Sequence, residues 1–388
     1  MDFDVIVIGA GLVGAAFALA LRAAGLRIAV VDAHSAPAAF DRGGWDSRIY
    51  AISPGSVSFL AECGVWDRLD ASRLCAVEDM QILGDDRISQ LDFGAYTAGL
   101  RELAVIVENR ELQRAAFDAL RTLDCVELFA PAACAELKLL PDTAELKLAD
   151  GRTLHARLIV GADGADSWVR KQASIDVKAR EYAQTAVVAN FSTALPHQCV
   201  ATQWFQRDGV LALLPLPGNR VSMVWSTATE NAARLLALDA QQLAAEVTSA
   251  AQDKLGAMQL ITAAAAFPLR IQRVRRLVLP RLALIGDAAH NVHPLAGQGV
   301  NLGFRDAREL ARVLSERGAQ HDCGDFALLR RYERARKEDI GAMQLTTDTL
   351  QRLFNNDNAR LAGLRNLGLR LVNRQPVLKN LLVRQAVG

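Results

Sequence analysis

Short apolar runs that end in glycine or in an acidic residue recur along the chain. The first, Asp4–Ile8, leads into Gly9-Ala-Gly-Leu-Val-Gly14 and then into an alanine- and leucine-rich helical stretch to about Ala24. A second apolar run, Ile28–Val31, ends in Asp32. Short apolar runs bounded by turn signals predict buried strands, so the pattern predicts a strand–helix–strand unit at the start of the chain.

The glycine spacing in this unit is that of a dinucleotide-binding fingerprint. Gly9 permits a tight turn, Gly11 lets a pyrophosphate approach the backbone, and Gly14 lets the helix pack closely on the strand. Asp32, where the second strand ends, would accept a hydrogen bond from a ribose hydroxyl. Because strand, helix, second strand and terminal acid occur in this order, they predict binding of a dinucleotide. These residues leave open whether it is NAD or FAD.

A second glycine-rich segment lies nearer the end of the chain. The apolar run Leu282–Ile285 leads directly into Gly286-Asp287, which is followed by a glycine-rich loop with one proline. A helical pattern then runs from about Val300 to Leu314. A strand end, an acid, a flexible loop and a helix N-terminus together suit an anionic or electron-rich edge of a cofactor.

The middle of the chain predicts a sheet. A helical stretch around Val107–Leu123 and several short strands come first, and the last of these strands ends in Ala162-Asp163-Gly164. Further extended runs, separated by turn signals, are Thr185–Phe191, Thr202–Phe205, Val210–Leu214 and Val221–Trp225. They predict an antiparallel sheet, followed by an amphipathic helix over about Asn231–Leu255.

We therefore expect an α/β protein: a Rossmann-like FAD- or NAD-binding domain with an inserted antiparallel-sheet substrate domain and a helical C-terminal tail. The 388 residues leave room for two or three domains. The expected boundaries are 1–70, 101–175 and 276–345 for the discontinuous dinucleotide domain, 71–100 and 176–275 for the substrate domain, and 346–388 for the C-terminal segment.

Composition narrows the function classes. Apolar residues make up 51% of the chain and charged residues 22%, which favours a sizeable buried core. The net charge of +1 gives no indication of nucleic-acid binding. The chain shows no apolar run long enough to span a membrane and no export signal, so we expect a cytoplasmic protein. Its cysteines show no metal-ligand spacing; we expect free thiols and no metal site.

Three ordered motifs resemble the FAD-dependent aromatic hydroxylases of the p-hydroxybenzoate hydroxylase type. They are Gly9–Gly14 with Asp32, Gly161–Arg170, and Gly286-Asp287 with the loop through Asn301. The resemblance covers nearly the whole chain. Local runs that are similar to the ubiquinone-biosynthesis hydroxylases (the UbiH/UbiF type) are Ser47–Ser56, Val107–Leu112 and His290–Asn301.

This resemblance implies an FAD-dependent monooxygenase that hydroxylates the ring of a polyprenylated phenol in ubiquinone biosynthesis. The reaction would proceed through a flavin hydroperoxide, with NADH or NADPH as reductant and O2 as co-substrate. No nucleophile–base pair is expected, because the oxygen chemistry belongs to the cofactor. Two alternatives stay open: a hydroxylase of a small soluble aromatic compound, and a non-catalytic flavin-binding component of a biosynthetic complex.

The resemblance also implies roles for individual residues. Asp32 would hold the adenosine ribose, and Arg48 and Arg110 would lie along the phosphates and the ribityl chain. Asp163 belongs to a motif linked to both FAD and the reduced nicotinamide, and Asp287 would take a ribityl hydroxyl. The full set expected to bind the cofactor is Gly9, Gly11, Val13, Gly14, Asp32, Arg48, Arg110, Asp163, Gly286, Asp287, Pro294, Gly297, Gln298, Gly299, Val300 and Asn301.

The end of the third motif would serve the reactive part of the flavin. Pro294 would sit on the reactive side of the ring, and Gly297 to Asn301 would present backbone N–H groups to its pyrimidine edge. Reduced flavin carries negative charge at this edge, and a helix N-terminus stabilises such charge. The nearby His290 and His293 have no third ligand close in sequence, so a structural role or a minor active-site contact is expected rather than a metal site.

Some residues also allow an ordinary structural interpretation. Arg48 could be a surface arginine, Arg110 could form a solvated salt bridge, and Asp163 could cap a turn. Trp204 and Trp225 are expected in the core of the sheet. The stretch from residue 350 to 383 carries leucines at helical spacing and many arginines. It could contact an anionic membrane or a multi-enzyme complex, or pack on the body of the protein.

Overall fold

A computed structural model describes residues 1–35, 43–86, 88–206, 209–291, 299–318 and 321–354, and also 373, 375 and 379. Four residues named above, His293, Pro294, Gly297 and Gln298, lie outside the described residues, as does most of the C-terminal segment with its leucine pattern.

The first half of the chain alternates strands and helices. In chain order the elements are β1 (Phe3–Ile8), α1 (Leu12–Ala20), β2 (Ile28–Val31), β3 (Ile49–Ile52), α2 (Pro54–Glu62), β4 (Cys75–Val77), β5 (Asp79–Leu83), β6 (Gln90–Gly94), α3 (Ala95–Ala98), β7 (Ala104–Glu108), α4 (Asn109–Leu120), β8 (Val126–Phe129), β9 (Cys134–Leu139), β10 (Ala144–Leu148), β11 (Thr153–Gly161) and α5 (Trp168–Gln172).

The second half begins with long strands and ends in long helices. Its elements are β12 (Val177–Thr193), β13 (Val200–Gln206), β14 (Gly209–Leu216), β15 (Arg220–Ala228), α6 (Thr229–Leu236), α7 (Ala240–Ala250), β16 (Met258–Leu260), β17 (Ala265–Val274), β18 (Val278–Leu279), β19 (Leu282–Leu284), β20 (His290–Asn291), α8 (Gly299–Ser315) and α9 (Phe326–Phe354).

A largely parallel sheet forms the centre of the first layer. Its order is β18-β19-β11-β1-β2-β8, and β1 is parallel to both β2 and β11. The strands end in register, since Ile8 pairs with Val31 and Gly161, and Gly161 pairs with Leu284. The carboxyl ends of parallel strands form the edge where α/β proteins bind ligands. The three predicted motifs therefore leave the sheet at the same edge.

A second, mostly antiparallel sheet follows the order β20-β17-β12-β15-β14-β13-β5-β6. Residues on its strands alternate between two environments, as the period of two demands. Leu211 and Leu213 of β14 join a core with α6 and α7, which also buries Trp204 and Trp225. Leu216, from the other face of β14, packs with Ile106 of a three-stranded sheet of order β3-β7-β4.

The α/β fold class predicted from the sequence is confirmed, and two local predictions differ from the structure. The helix expected around Val107–Leu123 begins only at Asn109, because the preceding β-branched run forms β7, which pairs with β3 and β4. The helix expected over Asn231–Leu255 is two helices. Asp239 caps the second one by accepting from the backbone N–H of Gln242 at 2.8 Å, in a capping box.

Little of the C-terminal segment is described, but one residue of it contacts the body. The backbone N–H of Asp92 in β6 donates to Oδ1 of Asn373 at 3.1 Å. At this point the segment lies against the edge strand of the second sheet. Among the described helices, none combines the length and the apolar character needed to span a bilayer.

Candidate cofactor and active site

The turn between β1 and α1 requires glycine at two positions. Gly9 has φ of +108°, and a Cβ there would lie 2.4 Å from the carbonyl oxygen of Ala162. A Cβ on Gly14 would lie 2.0 Å from the carbonyl oxygen of Gly9. By contrast, a Cβ on Gly11 would meet no described atom within 4 Å, although Gly11 is the N-cap of α1. The two packed glycines shape the turn, and Gly11 leaves the helix N-terminus open to a ligand.

Asp32 is fixed beside this turn. Its Oδ2 accepts from the backbone N–H of Ala10 at 2.7 Å, and its Oδ1 accepts from the backbone N–H of His34 at 2.8 Å. An ionised carboxylate offers about four lone-pair positions. These two bonds therefore orient the carboxylate next to the glycine turn and leave acceptor capacity for a hydroxyl group.

The second motif is bonded to the third through Arg170. This buried guanidinium donates to the carbonyl oxygens of Ala288 and Ala165, both at 2.8 Å. Asp163, at the end of β11, accepts from the backbone N–H of Val169 at 3.0 Å through Oδ2. The other oxygen, Oδ1, is buried and has no hydrogen-bond partner among the described residues.

The third motif packs on the first through small residues. Gly286 has φ of +61°, and a Cβ there would lie 3.2 Å from Val13 Cγ1. A Cβ on Gly303 would lie 2.6 Å from Val13 Cγ2. Val13 of α1 thus fills the space that two glycines leave free, and α8 comes close to α1. Gly303 was not singled out from the sequence, where it is simply an interior helix glycine.

The side chain of Asp46 links the segment that contains Arg48 to the segment that contains Arg110. Asp46 accepts from the backbone N–H of Arg48 at 2.9 Å and from that of Arg110 at 3.1 Å. Glu108, which is fully buried, in turn accepts from the backbone N–H of Asp46 and from Arg73 Nε, each at 2.5 Å. Glu108 also lies 3.1 Å from the Arg110 guanidinium. This buried carboxylate was missed in the sequence, because its partners are distant residues.

Arg48 itself is exposed and lies near aromatic rings. Its guanidinium carbon is 5.5 Å from the centre of the Tyr50 ring and 5.9 Å from that of Phe267. Burial raises the pKa of Tyr50, and the charge of Arg48 acts in the opposite direction. Arg48, which is expected to lie along the cofactor, is therefore next to the aromatic side chains of Tyr50 and Phe267.

Asp287 combines accessibility with desolvation. Its side chain is exposed to solvent, yet many protein atoms surround it, and the resulting desolvation raises its pKa. The charges of His290, Arg48 and Arg270 act in the opposite direction. The acid is therefore within electrostatic reach of Arg48, although the two residues are far apart in sequence.

A buried carboxylate on α8 holds the base of the third motif. Asp306 accepts from the backbone N–H of Gly286 at 2.9 Å, from His290 Nε2 at 2.6 Å and from Arg336 Nε at 2.7 Å. Burial alone would raise the pKa of Asp306, but His290 and Arg336 outweigh burial and lower it. His290 has the structural role expected from the sequence. Asp306 and Arg336 were not identified there.

Two residues at the start of α8 have different surroundings. Gly299 is open, since a Cβ there would meet no described atom within 4 Å. Asn301 is fully buried; it donates to the carbonyl oxygen of Ala51 at 2.9 Å and accepts from the backbone N–H of Ser53 at 3.0 Å. Its side chain joins α8 to the end of β3, so any cofactor contact of Asn301 would use its backbone. Val300, between them, is partly buried.

These features fit an extended dinucleotide such as FAD. One end of the edge has an open helix N-terminus at Gly11 and an oriented carboxylate at Asp32. The middle has the unpartnered buried oxygen of Asp163, and the other end has Asp287 and the open backbone at Gly299. Anionic phosphates suit the first feature, and sugar or ribityl hydroxyls suit the acceptors.

Comparisons with known proteins show the family to which the chain belongs. The family model described as FAD binding domain matches residues 2–346. Ubiquinone hydroxylase UbiL of Rhodospirillum rubrum is 38% identical over 386 residues, covering 99% of this chain and 89% of that protein. The 3-demethoxyubiquinol 3-hydroxylase of Escherichia coli is 37% identical over 387 residues, covering 99% of this chain and 98% of that protein.

A solved structure shows the same fold. PqsL, a probable FAD-dependent monooxygenase from Pseudomonas aeruginosa, superimposes with a TM-score of 0.77 at 24% identity, covering 94% of this chain and 99% of that chain. The chain belongs to the FAD-binding domain family and is an FAD-dependent monooxygenase, a class that uses NAD(P)H and O2. Within that family it is similar along its whole length to the ubiquinone hydroxylases.

Proposed function

We propose that the protein hydroxylates the aromatic ring of a polyprenylated phenol in ubiquinone biosynthesis. One observation carries the proposal: this chain matches 98% of the length of a 3-demethoxyubiquinol 3-hydroxylase at 37% identity. The motifs expected to hold FAD also meet at one sheet edge. FAD, when bound, supplies the oxygen-activating chemistry, and the protein supplies orientation, charge and exclusion of water.

We further propose that the FAD contacts divide along this edge. Gly11 and the N-terminus of α1 would face the pyrophosphate, and Asp32 would accept from the adenosine ribose. Arg48 and Arg110 would lie along the phosphates and ribityl chain, and Asp287 would accept from a ribityl hydroxyl. The remaining residues of this proposed set are Gly9, Val13, Gly14, Asp163, Gly286, Pro294, Gly297, Gln298, Gly299, Val300 and Asn301.

The surroundings of Arg48 support an apolar, aromatic substrate. Phe267 is 42% exposed and lies on β17 beside Arg48. An exposed aromatic at the rim of a cofactor site suits a phenol ring or a prenyl tail, which would bury its surface. The protein would orient the ring there.

We also propose the domain division expected from the sequence, with FAD bound by 1–70, 101–175 and 276–345, and substrate by 71–100 and 176–275. The basic C-terminal segment, 346–388, would contact the surface of an anionic membrane, where a polyprenylated substrate resides. Its seven basic residues against two acids support this proposal. Sedimentation with vesicles that contain or lack anionic lipid would test it; equal binding to both would contradict the electrostatic basis.

The activity is tested with the purified full chain, reconstituted with FAD. NAD(P)H oxidation is measured with a prenylated phenol and with the same phenol lacking the tail, and the product is analysed by mass spectrometry after reaction under isotopically labelled dioxygen. We expect faster oxidation and one labelled oxygen atom in the prenylated product. Equal turnover of the short phenol would favour the small-aromatic alternative. Bound FAD without any turnover would favour a non-catalytic component.

A further inference from the structure

Two cysteines and a histidine that are distant in sequence meet in the second half of the fold. Cys75 begins β4, whereas His197 and Cys199 lie in the turn that precedes β13. The two thiol sulfurs and a ring nitrogen of the histidine all lie within 4.8 Å of one another. Among the described residues, no fourth cysteine, histidine or carboxylate joins them.

The histidine is already held in the tautomer that a metal ligand needs. His197 Nε2 lies 2.8 Å from the carbonyl oxygens of both Leu216 and Gly218. A carbonyl oxygen only accepts, so Nε2 carries the hydrogen and Nδ1 carries the lone pair. In metal sites the ligating histidine typically donates its other N–H to such a carbonyl. Nδ1 now accepts from the backbone N–H of Cys199 at 3.1 Å, a bond that a metal ion would replace.

The three ligand atoms are brought together by ordered backbone. The backbone N–H of Glu78 donates to the carbonyl oxygen of Cys199 at 3.0 Å, which ties the end of β4 to the turn. The cluster borders a small apolar core that includes Val77, Ile106 and Leu216. Cys75 is buried, and Cys199 is partly exposed, which gives an ion access from solvent.

Ligand chemistry and size favour a soft divalent cation. Zn²⁺ takes thiolate at about 2.3 Å and imidazole at about 2.0–2.1 Å in tetrahedral geometry, so its ligand atoms are roughly 3.5–3.8 Å apart. Atoms already within 4.8 Å need to approach by only about 1 Å. We propose that Cys75, His197 and Cys199 form a three-ligand site for Zn²⁺, with the fourth position left to water.

Such an ion would join parts of the fold that are now linked by backbone bonds and packing. It would tie β4 to the start of β13 and, through His197, to the hairpin of β14 and β15. The cluster is separated from the Arg48 segment by β7, since the sheet order is β3-β7-β4. The site is therefore distinct from the cofactor edge, that is, the edge of the first sheet where the three motifs meet. Its test does not depend on the proposed function.

A disulfide between the same cysteines is the competing chemistry. A disulfide would join only the two sulfurs, whereas a metal ion would also use the lone pair of His197 Nδ1. A metal displaces the thiol protons as it binds, so its affinity should rise with pH.

The probe is Co²⁺, which reports tetrahedral thiolate coordination through intense visible bands and a sulfur-to-metal charge-transfer band. The FAD-loaded full chain is freed of metal with a chelator and titrated, and Zn²⁺ is then added in competition. The variants are Cys75→Ser, Cys199→Ser and His197→Gln, which keeps a donor for the two carbonyls. Cys125→Ser, a partly buried thiol outside the cluster, is the matched control.

We expect one Co²⁺ per chain, displaced by Zn²⁺, in the natural protein and in the Cys125 variant. Each of the three cluster variants should bind at least about tenfold more weakly, while its FAD absorbance and circular dichroism stay unchanged. Zn²⁺ should raise the unfolding temperature only where the bands appear. Absence of the bands from the natural protein, or bands that survive in all three variants, would overturn the proposal. So would a Cys75–Cys199 disulfide found by thiol titration of the purified protein.

Discussion

Replacement of Asp306 by asparagine should weaken the whole third motif. The carboxylate is fully buried and accepts from the backbone of Gly286, from His290 and from Arg336. Asparagine keeps one acceptor oxygen but loses the negative charge, and it turns an N–H₂ group towards one of three donors. Arg336 would then be a largely buried cation whose remaining acidic partner, Asp339, is partly exposed.

The size of the effect follows from this burial. Removing one partner of a buried charge pair costs about 3–5 kcal/mol, because the other charge stays buried and uncompensated. A domain is typically stable by about 5–15 kcal/mol, so the loss would be a large fraction of the total. Glu316, just after the same helix, is the control: it pairs with Arg312 at 2.6 Å, but both side chains are 48% exposed. Glu316→Gln should cost only about 0.2–1 kcal/mol.

The assay is urea unfolding of the apoprotein together with FAD titration. We expect Asp306→Asn to lose about 3–5 kcal/mol and to bind FAD more weakly, and Glu316→Gln to change neither appreciably. The double variant Asp306→Asn/Arg336→Met should be more stable than the sum of the two single losses predicts, because it removes both buried charges. A loss below about 1 kcal/mol for Asp306→Asn, similar to that for Glu316→Gln, would refute the reasoning.

The same residue sets a pH dependence with a definite sign. The pKa of Asp306 is lowered in the folded protein relative to about 3.9 in an unfolded chain. Its contribution is therefore complete above about pH 4 and is lost as the pH falls through the lower folded-state pKa. The stability difference between the natural protein and Asp306→Asn should shrink only in that acidic range. A difference that already disappears between pH 8 and about pH 5 would point to another group.

Three further predictions concern the cofactor edge. Gly14→Ala should destabilise the apoprotein, because its Cβ would lie 2.0 Å from the Gly9 carbonyl oxygen. Gly11→Ala should leave stability nearly unchanged and weaken FAD binding about tenfold or more. Thermal unfolding and FAD titration measure these two properties, and equal effects of the two variants on both would contradict the distinction. Asp287→Asn should weaken FAD binding but leave the stability of the apoprotein near pH 7 unchanged or higher. The reason is that a carboxylate with a raised pKa lowers the stability of the folded protein above that pKa. A clear loss of stability in the variant would contradict the prediction. Phe267→Ala should raise KM for a prenylated phenol about tenfold with little change in kcat. Phe326, an aromatic side chain of similar exposure (39%), provides the control, and Phe326→Ala should leave KM unchanged. An equal response of the two variants would show that Phe267 is not part of the site.

The parts of the site that sequence reasoning reached are those encoded by short stretches of chain. Gly9, Gly14 and Asp32 lie within one strand–helix–strand unit, and each role follows from its local position. The common edge was predictable too, because each of the apolar runs ends in its motif and parallel strands end together. Site membership of the individual residues stays a prediction.

The parts that sequence reasoning missed depend on partners that are far apart along the chain. Glu108 looks like an ordinary acid before a helix, and Asp306 like an ordinary acid within one, until their arginine partners are placed beside them. A buried carboxylate with a cationic partner has no local sequence pattern, because both its burial and its partner are determined by the tertiary structure. The proposed ligands Cys75 and Cys199 are similar, because they are far apart in sequence and show no local metal-ligand spacing.

The two ends of the cofactor edge are therefore specified in different ways. At the adenosine end, a helix N-terminus and Asp32 are ordered by bonds within the first motif itself. At the flavin end, the turn at Gly286 is held by Arg170 through Ala288 and by Asp306, which depends on Arg336 of α9. The proposed flavin end thus depends on how α5, α8 and α9 pack around this turn. Substitutions far from this end should therefore disturb it first, because Arg170, Asp306 and Arg336 are distant in sequence from the Gly286 turn that they hold.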